Sequence, residues 1–161
     1  MSEFSTISIK GFEDFKRQLA LLPTRIGRNV LRGAVNAAAT SIRQEVVARA
    51  PVYTGPVAEG HPPAGTLKKA IYQKQIPELS SNLYQTFYVG VRSGKRQQAV
   101  KRGKNVLNLD AFYGAFVEFG TSKMSARPFM RPAFETRRDY AIEAMRAYLA
   151  ERIPRELEKS T

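Results

Sequence analysis

Pro23 and Pro51 frame the feature that most constrains this chain: no proline lies between them, and the apolar positions there return at helical spacing. Ile26, Val30, Leu31, Ala34, Val35, Ala38, Ile42 and Val46 give one face of an α-helix. Thr24 is a suitable N-cap, and Pro51 lacks the amide that another turn would need. A helix from Thr24 to about Ala50 is about 40 Å long at 1.5 Å per residue. The rest of a 161-residue chain must pack along it. Gly33 to Ala39 is rich in small side chains, so a second element is expected to approach the backbone there.

Around this helix the punctuation predicts a single domain over residues 1–161. Residues 1–10 read as an extended arm, with Ile7 and Ile9 in alternation. Phe12, Phe15, Leu19 and Leu22 mark a short helix that Pro23 ends. Residues 51–66 hold Pro51, Pro56, Pro62, Pro63, Gly55, Gly60 and Gly65, and read as a loop. A strand is expected from about Leu67 to Ile76, then a turn with Pro77 and two serines. A second strand follows, with Leu83, Phe87, Val89 and Val91 on one face and Tyr84, Thr86 and Tyr88 on the other. Residues 93–108 are basic and carry Gly94 and Gly103, and are expected to be a long flexible loop. Asp110 is expected to cap a short helix through Phe119, which Gly120 stops. The last helix is expected to start at Pro132 or Ala133. Its stripe is Phe134, Ala141, Ile142, Met145, Tyr148, Leu149 and Ile153, with a break or kink at Pro154 and a polar end over 155–161. The expected class is α+β: long helices on a small, mainly antiparallel sheet, with a long basic loop. Two strands alone make a poor sheet. The arm, or part of residues 104–124, is therefore expected to add a third or fourth.

The chain offers little to catalysis. It has no cysteine, which removes thiol nucleophiles, thiolate metal sites and disulfides. Its one histidine, His61, lies in the 51–66 loop and is read as a loop residue, since one imidazole cannot build a zinc site without suitably placed carboxylates. Neither GxGxxG nor GxxxxGK[ST] occurs. No cofactor, metal or catalytic residue is expected. Glu118, inside an apolar run, is either a general acid or, as we expect, an ion-pair partner of Arg127 or Arg131. Glu45 reads as a solvated helix residue. No apolar stretch is long enough to span a bilayer, and Met1 to Lys10 does not read as a signal peptide, so no membrane partner is expected.

The formal net charge of +12 points to a polyanionic partner. Between Leu79 and Leu109 stand Arg92, Lys95, Arg96, Lys101, Arg102 and Lys104 with no acidic residue. Either this segment is simply solvated, or it meets DNA phosphates or an acidic protein surface. The basic loop itself, residues 92–104, lacks the interleaved aromatics of a single-strand stacking platform.

One block carries a resemblance. Tyr113-Gly-Ala-Phe-Val-Glu-Phe-Gly-Thr-Ser-Lys-Met-Ser-Ala-Arg-Pro-Phe-Met-Arg-Pro-Ala-Phe-Glu135 resembles the signature of the siphophage head–tail joining, or tail-completion, family, a VEFGT block followed by RPF-x-RPA. Ala50-Pro51 with Thr54-Gly55, and Gly65-Thr66-Leu67-Lys68-Lys69-Ala70-Ile71, is similar to that family's second, weaker block. The likeness covers about residues 11–150, and the segments 56–65 and 93–108 depart from its shortest pattern. The resemblance implies a non-enzymatic virion protein, assembled in the bacterial host cytoplasm. Such a protein sits at the neck as a ring such as a hexamer. Its partners would be copies of itself and other neck and tail proteins, with non-specific contact to genomic DNA in the channel. The motif residues so implied are Glu118, Phe119, Gly120, Thr121, Arg127, Pro128, Phe129, Arg131 and Pro132. That block is either intramolecular core and hinge or part of the ring contact. The competing class is a small basic nucleic-acid-binding protein; a small hydrolase or nuclease is disfavoured by the single histidine.

Overall fold

The computed structural model describes residues 12–21, 24–55, 62–93, 99–102, 105–108 and 111–159. The expected arm, the Asp110 cap and His61 lie outside them. Helix α1 is Phe12–Leu21 and α2 is Thr24–Arg49. A short α3, Thr66–Ala70, leads into β1, Ile71–Gln75. A single 3-10 turn, Pro77–Leu79, precedes β2, Phe87–Val91. Then come β3 (Ala99–Arg102), β4 (Asn105–Asn108), α4 (Gly114–Phe119) and α5 (Met130–Glu158). The class is α+β, with two long helices packed against a small antiparallel sheet.

Helices α2 and α5 run side by side in opposite directions. Arg137 Nε meets Glu45 Oε2 at 2.8 Å near one end of the pair. Toward the other end, a Cβ on Gly33 would collide with the Tyr148 phenol, so the small-residue stretch admits the close approach it promised. Val30, Ala34, Leu149 and Ile153 form one buried cluster, flanked by Phe15 of α1. A second cluster at the opposite end joins Val46, Ala50, Leu67, Ala70, Ile71, Ala111, Phe129 and Ala133. Burial of such aliphatic side chains supplies about 1.5–3 kcal/mol each relative to exposure.

Strands β1 and β2 pair in register Ile71↔Val91, Gln73↔Val89 and Gln75↔Phe87. Val89 and Val91 pack with Ile71 on the second core cluster, whereas Tyr88, on the opposite face, is exposed. Several expectations are corrected here. The first strand was expected from Leu67, but residues 66–70 are helical. Leu67 and Ala70 are both buried; three apart, they share a helical face, whereas an extended chain would point them oppositely. Thr66 Oγ1 donates to Pro63 O at 2.7 Å, which ties the start of that turn. Leu83 was expected on the core face of β2, yet it is 89% exposed. Backbone and side chains share the polar groups of that connection: Ile76 N donates to Thr86 O at 2.9 Å and Ser81 N to Tyr84 O at 2.8 Å, while Thr86 N donates to Ser80 Oγ at 3.0 Å and Leu83 N to Ser81 Oγ at 3.1 Å.

Within the 93–108 stretch, expected as a long flexible loop, Ala99–Arg102 and Asn105–Asn108 pair as antiparallel strands, and residues 94–98, 103 and 104 lie outside the described residues. Val100, opposite Leu107, and Val106, opposite Lys101, supply the β-prone residues. Among the described residues the β1–β2 sheet gains no third strand, because β3 and β4 pair with each other. Finally, α5 begins at Met130 rather than Pro132, and it runs through Pro154 without ending. The carbonyl that this proline leaves without a donor belongs to Ala150, an exposed residue, where water can satisfy it.

Candidate functional site

The resemblance block folds into one corner, at the second core cluster. Ala111 is buried and its N–H donates to Arg92 O at 3.0 Å, joining this corner to the end of β2. Gly114 then lets α4 lie directly against the sheet: a Cβ there would meet Val91 Cγ1 at 3.0 Å. Helix α4 ends at Gly120, whose φ of 76° and ψ of −178° suit glycine alone. A Cβ on it would lie 2.8 Å from Ala126 N and 2.9 Å from Met124 O, so shape and dihedral both select glycine. The chain reverses through the Thr121↔Met124 bridge. It returns along α4, where Arg127 N donates to Val117 O at 2.8 Å, and then drops Phe129 into the core at 1% exposure.

Glu118 closes the corner. Its carboxylate accepts the backbone N–H groups of Phe129 at 2.7 Å, Met130 at 2.9 Å and Arg131 at 3.1 Å. These are amides at the start of α5, which has no side-chain cap of its own at Phe129. The first amides of a helix lack intrahelical partners and carry the positive end of its dipole, so a carboxylate there is doubly favourable. Burial pushes the Glu118 carboxyl up, but the three amides and the nearby Arg131 charge outweigh it and hold it below its ordinary value. The expected ion pair is therefore corrected: Glu118 binds backbone, and among the described residues it forms no ion pair with Arg127 or Arg131. Both arginines are exposed. Pro132 sits in the first turn of α5, where a missing amide costs nothing. Thr121 Oγ1 accepts the N–H of Lys123 at 3.2 Å, and Pro128 lies exposed between the two elements.

The outer side of the same corner is aromatic. Phe112, Phe116, Phe119 and Phe134 are 59%, 48%, 74% and 49% exposed. Phe134, read as core in the last helix, is therefore a surface residue. Two open apolar clefts flank α4 and share Phe112. One, of about 770 Å³, runs between α2, β2 and α4 and includes Phe87, Phe119 and Phe134. The other, of about 580 Å³, includes Tyr53, Leu67, Phe116 and Met124. In the six-residue α4 the buried side is taken by Gly114 and Glu118, so Phe116 and Phe119 are left exposed; their density in so short a helix was the available sequence signal for an exposed face.

The basic set is not gathered here. Arg92, at the end of β2, holds its guanidinium 5.4 Å from the centroid of the Tyr72 ring, a cation–π contact. Lys101 and Arg102 lie on β3, paired with Val106 and Asn105; Lys95, Arg96 and Lys104 lie outside the described residues. Glu45, read as solvated, instead joins Arg49 at 2.7 Å and Arg137 at 2.8 Å. The hydrogen bonds from Arg137 and then Arg49 hold its carboxyl below the ordinary value. Among the described residues no group of three or more His, Cys, Asp or Glu side chains could hold a metal ion, and no helix is long and apolar enough to cross a membrane. Compared with known proteins, the chain matches no family model, no curated sequence and no solved structure.

Proposed function

We propose that this chain is a structural subunit of a tailed-phage virion, of the head–tail joining or tail-completion type, and that it acts by assembling into a ring at the neck. The observation that carries the reading is the exposed aromatic face of α4, built on a corner that Glu118 and Gly120 hold rigid. Contiguous exposed apolar surface of this kind marks a protein interface, and phenylalanine is among the side chains that interface cores favour. The motif residues divide their labour. Glu118, Gly120 and Phe129 set the backbone, and Phe112, Phe116 and Phe119 make the contact. A face on α4 that meets a different face of the next copy closes a ring by heterologous contacts. The ring then docks on preformed neck or tail parts, and the basic residues Arg92 to Lys104 meet DNA in the channel or acidic counter-surfaces. The mechanism is fit, with no substrate turned over.

The test is electron microscopy of particles made with and without the chain. Full heads beside complete, unjoined tails in its absence support the proposal. Intact infectious particles made without it would refute it. Tight duplex binding by the lone chain, with no assembly, would favour the competing nucleic-acid-binding class.

A further inference from the structure

Helix α2 carries Arg25, Arg28, Arg32 and Arg43 before its first acidic residue, Glu45. Arg43 is engaged, donating to Gln73 Oε1 at 3.2 Å. Arg28 and Arg32, one turn apart on one helical face, are both exposed, and neither forms an ion pair among the described residues. Facing them is the connection between β1 and β2. Arg28, Arg32, Gln75, Ser80, Ser81 and Gln85 line a cleft of about 240 Å³ there, with no acidic side chain in its wall.

That wall is pre-built. Ser80 Oγ donates to Ile76 O at 2.7 Å, Thr86 Oγ1 to Leu79 O at 2.6 Å, Gln75 Nε2 to Gln85 Oε1 at 2.6 Å and Gln85 Nε2 to Ser81 O at 2.5 Å. Ser81 Oγ accepts the Leu83 N–H at 3.1 Å, which leaves its hydroxyl proton free to point into the cleft. Two guanidinium forks and one hydroxyl, held over an ordered polar loop, make a donor-rich recess for a tetrahedral oxyanion. We propose that this cleft binds a phosphate group, and that its source is the backbone of duplex DNA. The choice of phosphate over a protein carboxylate rests on two points. Beside Pro77, the lining residues all carry guanidinium, amide or hydroxyl groups, while the chain's aromatic face lies elsewhere, on α4. The site is separate from that face, so its failure leaves the assembly reading untouched.

The test compares wild type with R28Q/R32Q, the charge-keeping R28K/R32K, and a control pair, K123Q/R138Q, elsewhere on the surface. Anisotropy of a short labelled duplex is read across chloride concentrations, and melting is read in inorganic phosphate against chloride at matched ionic strength. The expected result is a loss of about tenfold in duplex affinity for R28Q/R32Q. Its log–log salt slope should be shallower by about 0.9 for each phosphate released. R28K/R32K should retain most of the binding, and the control should lose less. Phosphate should raise the melting temperature of wild type but not of R28Q/R32Q. A phosphate response with unchanged duplex binding would keep the anion site but overturn its assignment to DNA. No difference in either arm, or an equal loss in the control, would overturn the site.

Discussion

The helix pair and the α4 corner solve burial in opposite ways. Along α2 and α5 the aliphatic and small side chains go inside, Val30, Ala34, Leu149 and Ile153 all at 2% exposure or less, while most charges stay at the edge. At the corner a carboxylate goes inside, Glu118 at 8%, and four phenylalanines stay out. The first arrangement is what stability alone selects. The second fits the contact surface proposed above: the polar group fixes the backbone, and the apolar groups remain exposed. The contrast predicts that mutations in the helix pair act on folding, and that those on the outer corner act on assembly.

The sharpest break would come from Leu149→Ala, which opens a cavity between the long helices. It should cost about 2–5 kcal/mol of folding stability, read by chemical denaturation, and leave the assembly state of the folded fraction unchanged. Glu118→Ala should cost about 2–4 kcal/mol, because buried amides at the start of α5 lose their acceptor. The same residue gives a pH signature. Its folded carboxyl titrates below the ordinary value, so its contribution is complete above the unfolded carboxyl pKa of about 4.3. That contribution is lost as pH falls through the lower folded value. Stability should therefore drop on acidification more steeply in wild type than in Glu118→Gln, measured by denaturant midpoints from neutral pH downward. Gly120→Ala should cost about 1–3 kcal/mol through the strained dihedral alone, and more if Ala126 cannot yield. The smallest effect on folding, within about 0.5 kcal/mol, belongs to Phe119→Ser. If the comparison is right, that same change weakens assembly most.

Much of the frame was legible in the residues, and the reasons it stopped being legible are local. Pro23, Pro51 and the spacing from Ile26 to Val46 announced α2, because a long periodic run with hard stops has few alternatives. Gly33 announced the close partner that α5 supplies. The segment from Leu67 was not legible as a helix, since Lys68, Lys69 and Ala70 suit helix as well as exposed strand, and only the joint burial of Leu67 and Ala70 decides it. Leu83 misled because alternation marks a strand only where the backbone goes on pairing, and here the chain turns: Ser81 N reaches Tyr84 O and the Leu83 N–H goes to Ser81 Oγ. At Pro154, where a break or a kink was expected, the helix does not break: the carbonyl left without a donor belongs to the exposed Ala150, and Ile153 and Leu157 pack on the core on either side of the proline. At the site, Gly120 and Phe129 were legible as turn and anchor. The partner of Glu118 was not: its ligands are backbone amides, which no side-chain pattern advertises. Nor did the charge pattern around Arg92 point to Arg28 and Arg32, which lie on a helix whose neighbouring loop is defined only by the fold.

The central claim is that the outer side of the α4 corner is a contact surface held ready by its inner side. Sedimentation velocity of wild type beside a Phe112→Ser, Phe116→Ser, Phe119→Ser triple variant tests it most directly. The claim predicts concentration-dependent growth of wild type beyond a single chain, and a variant that stays single while its circular dichroism and denaturation midpoint match wild type. A variant that assembles as wild type does, or a wild type that stays single at every concentration, would contradict it.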